Sequence, residues 1–99
     1  MAEEAIVPET VLRQAPGVVL RRVAGEILLI PVKGKVADLQ RIYVLNAVGE
    51  RIWSGMARPR PLREIAGDVA TAYDVTKEAA ESDAREFAAE LLEAGLVTR

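Results

Sequence analysis

Neither cysteine nor histidine occurs in this chain of 99 residues. Without cysteine there is no disulfide framework, and no thiolate to attack a substrate or hold a soft metal. Without histidine the side chain most used as a general base near neutral pH is gone, and with it the commonest metal ligand. Only carboxylates, lysines, tyrosines and a few hydroxyls remain for chemistry. A long apolar run is also missing: nothing approaches the roughly 18 residues that mark a membrane span. The opening MAEEAIVPET starts acidic and lacks the apolar stretch of a secretory signal, so the expected location is cytoplasmic. An excess of one charge sign is missing as well. The formal net charge is −2, which gives no global basic field to gather nucleic acid. What is present, 51% apolar and 28% charged residues, is ordinary for a soluble domain. A chain this long buries roughly two-thirds of its unfolded surface, enough for one core without staples.

Residues 1–14 carry little pattern and read as an N-terminal arm before a domain spanning 15–99. Pro16-Gly17 marks a turn. VVLRRV (18–23) and EILLIPV (26–32) read as strands joined by a tight reversal at Ala24-Gly25-Glu26, with Pro31 weakening the pairing at the far end. After the polar stretch 33–40, residues 41–45 read as a third strand. The pattern then turns helical. Asn46 stands at an N-cap, and Val48, Ile52 and Met56 recur at helical spacing over 47–56. ARPRP breaks that helix. A second begins near Pro61 and runs to about Tyr73, with Leu62, Ile65, Ala66 and Val69 as its buried stripe. Thr76 caps a third that reaches about Ala94, with Ala80, Ala84, Phe87 and Leu91 facing the core. Gly95 suits the position after the helix, and Leu96-Val97 should fold back as an apolar tail. The expected class is α+β, a three-stranded antiparallel sheet followed by three helices in a winged-helix-like βββααα order. Leu28 and Ile30 point to one face of the second strand, Ile27 and Leu29 to the other, and both sets are apolar. The surplus predicts that the second sheet face is covered by the arm 5–11, by a second subunit or by a partner.

Catalysis has little support in these residues. Glu78, Glu81, Asp83, Glu86, Glu90 and Glu93 lie on the third helix opposite its apolar stripe, with Lys77 and Arg85 among them. A solvated face accounts for them better than an acid–base pair or an inward-facing metal site. Gly25, Gly34 and Gly49 are isolated, so no phosphate-cradling loop is present. No catalytic residue, metal or cofactor is expected. The second and third helices could form a helix-turn-helix, but a third helix with two positive and six negative residues would be repelled by phosphates. Arg51, Arg58, Arg60 and Arg63 make up the basic patch. Peptide binding fits better. The third strand leads out of the sheet, so an extended peptide could add along its edge. Ala88, Ala89 and Leu92 extend around the third helix from its core stripe and suggest a low groove wall beside that edge.

The joint YVLNAVGERIW (43–53) resembles the signature of the PqqD-like family, named for pyrroloquinoline quinone biosynthesis protein D. ILLIPV precedes it and PLREIAGDVATAYDV and FAAELLEAGLV follow it in the matching order, so the likeness covers about 18–97. It implies a winged-helix-like recognition element, with no cofactor of its own, for ribosomally made and post-translationally modified (RiPP) peptides. Such a protein would bind a precursor's leader segment by strand addition and present it to a modifying enzyme, often of the radical S-adenosylmethionine type. Carried over by position, the strand contacts would be Arg41, Ile42, Tyr43, Val44 and Leu45. The helix contacts would be Arg85, Ala88, Ala89 and Leu92, with Arg85 pairing to an acidic leader residue. Ala47 where family members often carry an acid, MARPRP after the first helix and the long 33–40 loop depart from the quinone-pathway members. A different peptide system is therefore expected. On the residues alone, a small winged-helix DNA-binding regulator and a structural homodimer module remain as alternatives.

Overall fold

The computed structural model describes residues 5–33 and 36–99; residues 1–4 of the arm and part of the 33–40 connection lie outside that range. In chain order the elements are β1 (Arg13–Gln14), β2 (Val18–Val23), β3 (Glu26–Lys33), β4 (Val36–Ala37), a 3-10 turn (Leu39–Arg41), β5 (Tyr43–Leu45), α1 (Ala47–Gly55), α2 (Leu62–Tyr73), α3 (Lys77–Glu93) and β6 (Val97–Thr98). The class is α+β. Three antiparallel strands, β2, β3 and β5, precede three helices.

The β2–β3 hairpin turns on Ala24 and Gly25, both at positive φ (52° and 83°), between the paired residues Val23 and Glu26. Two such residues make the reversed turn that matches the right-handed twist of a strand pair. β3 is the central strand. One edge pairs with β2, and the other pairs with β5 through Ile27↔Leu45, Leu28↔Val44 and Leu29↔Tyr43, and with β4 farther along. Leu20, Leu29 and Leu45 share the face that meets the helices.

α1 and α3 begin at side-chain caps. The Asn46 side chain accepts from the Gly49 N–H, and the Thr76 hydroxyl accepts from the Ala79 N–H. α3 ends in a Schellman arrangement. Gly95 sits at φ 76°, its N–H donates to Leu92 O, and the Leu96 N–H donates to Leu91 O. That closure turns Leu96 and Val97 inward, where both are buried. The core joins Leu29 and Leu45 of the sheet to Ile52, Trp53 and Met56 of α1, Ile65 and Val69 of α2, and Ala80, Ala84, Ala88 and Leu91 of α3.

The structure departs from the sequence reading at the start of the third strand, and it shows where the described part of the arm lies. Residues 41 and 42 are not strand. The Asp38 carboxylate accepts from the Gln40 N–H and its carbonyl accepts from the Arg41 N–H, so a 3-10 turn forms there and the strand starts at Tyr43. The described part of the arm is tied down. β1 pairs with β6, Val11 bridges to Pro61, and Leu12 is 2% exposed within the core. The described part of the arm docks away from the second sheet face. The Leu62 N–H donates to Thr10 O and the Arg63 N–H to Pro8 O, so the segment docks on the start of α2. Leu28 and Ile30 stay half-buried on the far face, and Val44 beside them is 56% exposed.

Candidate functional site

β5 is short and lies at a sheet edge. Among the described residues its one strand partner is β3, so its other side keeps unpaired backbone donors and acceptors. Alternation turns Leu45 into the core and Tyr43 toward α3, while Val44 faces out. Asn46 caps α1 directly after the strand, so the edge sits on a rigid joint.

Beside this edge runs an open cavity of about 390 Å³. Tyr43, Val44, Val48 and Gly49 line one side, and Asp83, Glu86, Phe87 and Glu90 of α3 line the other. Phe87 is the floor. Its ring meets Tyr43 edge-on, with centroids 6.1 Å apart at 63°. A β-carbon on Gly49 would stand 3.1 Å from the Phe87 Cζ and 3.2 Å from the capping Asn46 Oδ1. Glycine there lets the ring lie against α1. The Tyr43 hydroxyl donates to Glu90 Oε2 at 2.8 Å. Burial, then the Glu90 carboxylate, hold that phenol above its usual value near 10. Arg41 donates to the Ala94 carbonyl at 2.7 Å, clamping the 3-10 turn to the negative end of the α3 dipole.

The residues expected at this site therefore divide. Tyr43 and Val44 line the groove. Ile42 precedes the strand, Leu45 is buried beneath it, and Arg41 is engaged by α3. On α3 none of the expected residues lines this cavity. Ala88 is fully buried. Arg85 lines a separate small hollow with Pro8, Leu62, Arg63, Ala66 and Glu81. Ala89 and Leu92 follow Arg85 at i+4 and i+7, on that same flank. The core stripe has two flanks, and β5 lies beside the one that carries Asp83, Glu86, Phe87 and Glu90. A second stripe at 83, 87 and 90 was the available signal, spaced i, i+4, i+7 beside the alanines; its acids read as solvated surface.

Other chemistry is no better served. Among the described residues no cluster of three acids, histidines or cysteines could hold a metal, and no helix is long and apolar enough to cross a membrane. In the basic patch, Arg60 pairs with Asp68 at 2.8 Å and Glu64 at 3.5 Å, and Arg51 lies 5.8 Å from the Tyr73 ring centre. Two of its four charges are thus occupied within the fold.

Residues 18–97 match the family profile described as Coenzyme PQQ synthesis protein D (PqqD). The chain belongs to the PqqD family. PqqD domains are non-catalytic peptide-binding modules, and their fold is that of a RiPP recognition element. Two solved structures agree in fold. The chain TbiB1, in complex with the TbiA(beta) leader peptide, is 26% identical with a TM-score of 0.68, over 86% of this chain and 93% of that one. The solution NMR structure of the PqqD truncation of Methylobacterium extorquens PqqCD, a functional stand-alone RiPP recognition element, is 20% identical with a TM-score of 0.77, over 96% of each chain. No curated protein matches.

Proposed function

We propose that this PqqD-family protein binds the leader segment of a ribosomally made precursor peptide and presents it to a peptide-modifying enzyme. The observation that carries the reading is the open β5 edge beside the α3 groove, in a chain whose structural relative TbiB1 was solved with a leader peptide. The leader adds antiparallel or parallel to β5 through its backbone, and alternate side chains enter the groove. Tyr43, Val44 and Phe87 supply the apolar contact, and Asp83, Glu86 and Glu90 form the polar rim. Arg41 serves as a positioning residue that fixes the strand's start against α3. Arg85, Ala89 and Leu92 face away and contribute no leader contact. The acidic α3 and the occupied arginines disfavour a DNA-binding role.

A backbone amide NMR titration with leader peptides of precursors encoded beside this gene tests the reading. Shifts concentrated at 42–45 and 83–90 are the expected result. Shifts absent there but produced by duplex DNA around 51–63 would replace the reading with a regulator.

A further inference from the structure

We propose that the groove selects a basic leader, with Lys or Arg at two alternating positions on the side facing α3. This rests on the strand-addition reading above and states which chemistry enters that site. The free β5 edge and the aromatic floor define the site; the charges around it define its preference. Asp83, Glu86 and Glu90 are exposed along one wall, and among the described residues no lysine or arginine lines the cavity. The nearby arginines are turned to other tasks. Arg41 is bound to the Ala94 carbonyl, Arg22 to Glu50, and Arg51 lies over Tyr73. Arg85, on the same helix, lines the hollow on the opposite flank. Glu90 accepts from Tyr43 yet keeps further acceptor sites, because a carboxylate offers about four.

The spacing fits an added strand. Glu86 and Glu90 are one helical turn apart, about 6 Å along the axis. Same-face residues of a strand repeat at about 6.8 Å. A basic residue at i and another at i+2 therefore meet the two carboxylates in register, and their aliphatic stems cover the Phe87 ring. An acidic leader placed in the same register would set like charges along the whole wall.

The test uses the full chain and three synthetic peptides of about a dozen residues. They share one alternating Val/Leu frame and carry Lys, Gln or Glu at i and i+2. Affinity is measured at low salt and at about 0.3 M salt, with amide shifts of 43–45 recorded in each titration. The Lys peptide is expected to bind at least about tenfold more tightly than the Glu peptide at low salt, with the gap shrinking as salt screens it. The double variant Asp83→Lys with Glu86→Lys should invert the order, and both positions are exposed, so the fold is retained. Equal affinity of the three peptides, each still shifting 43–45, would overturn the charge preference and leave strand addition standing. No shift at 43–45 with any peptide would overturn strand addition itself.

Discussion

At the residue scale, two positions with the same backbone sign behave differently. Gly17 and Ala24 both have positive φ, at 80° and 52°. A β-carbon on Gly17 would stand 2.7 Å from the Val32 carbonyl oxygen, inside any normal contact, and the Gly17 carbonyl itself accepts from the Val32 N–H. Gly17→Ala should destabilise by about 2 kcal/mol, since the left-handed penalty and a backbone clash act together. Ala24 already carries a β-carbon at the first turn position, where Asn-Gly is the favoured pair. Ala24→Asn should stabilise by about 0.5 kcal/mol without touching peptide affinity. Urea denaturation of both variants checks the opposite signs. Tyr43 gives a third prediction at this scale. Its raised phenol favours the protonated form in the folded protein. Its contribution to stability is full below the ordinary value near 10 and is lost as pH rises beyond it. Ultraviolet titration should therefore show Tyr43 ionising later than a free tyrosine. Glu90→Gln should bring it only part of the way back, because burial is the larger cause.

At the scale of elements, what was legible was what is locally encoded. The starts of α1 and α3, the β2–β3 hairpin and the Gly95 stop all depend on caps and turns within a few residues. Each was readable for that reason. The beginning of β5 was not, because Arg41-Ile42 has a strand-like composition while Asp38 folds it into a 3-10 turn. The orientation of α3 was not either. Periodicity located the core stripe at Ala80, Ala84 and Leu91, but a stripe has two flanks, and only packing against β5 decides between them. Of the residues expected from the sequence, Tyr43 and Val44 line the cavity beside β5, while Arg85 lines a hollow on the other flank of α3. Adjacent residues of opposite charge make a direct check. Arg85→Glu should leave the affinity for a leader peptide within about twofold, whereas Glu86→Arg should change it about tenfold. Titration calorimetry at low salt, where rim charges act most strongly, separates the two. A large effect of Arg85→Glu would return the site to the flank of Ala89 and Leu92.

At the scale of the whole molecule, the segment before β2 closes the fold although its sequence carries little pattern. Leu12 enters the core, the Gln14 side-chain amide donates to the Trp53 carbonyl at 2.8 Å, and the Ala15 N–H donates to Leu96 O at 2.9 Å. The segment thereby ties the end of α1, the start of α2 and the chain's last strand together. None of these links is local, which is why periodicity did not find them. β6 depends on the same closure, since β1 is its strand partner. Leu12→Ala removes a fully enclosed side chain between elements that are already fixed, so the cavity collapses little and the cost should reach about 3 kcal/mol. In a domain of this size that lowers the melting temperature by more than about 10 °C. Val11→Ala, at a neighbouring exposed position whose backbone bridge to Pro61 is unaffected, should cost less than about 0.5 kcal/mol. Thermal melts of the pair read the difference directly. If Leu12→Ala melted with Val11→Ala, the segment would be a detachable arm. If it melts well below, the folded unit that holds the groove begins before β2.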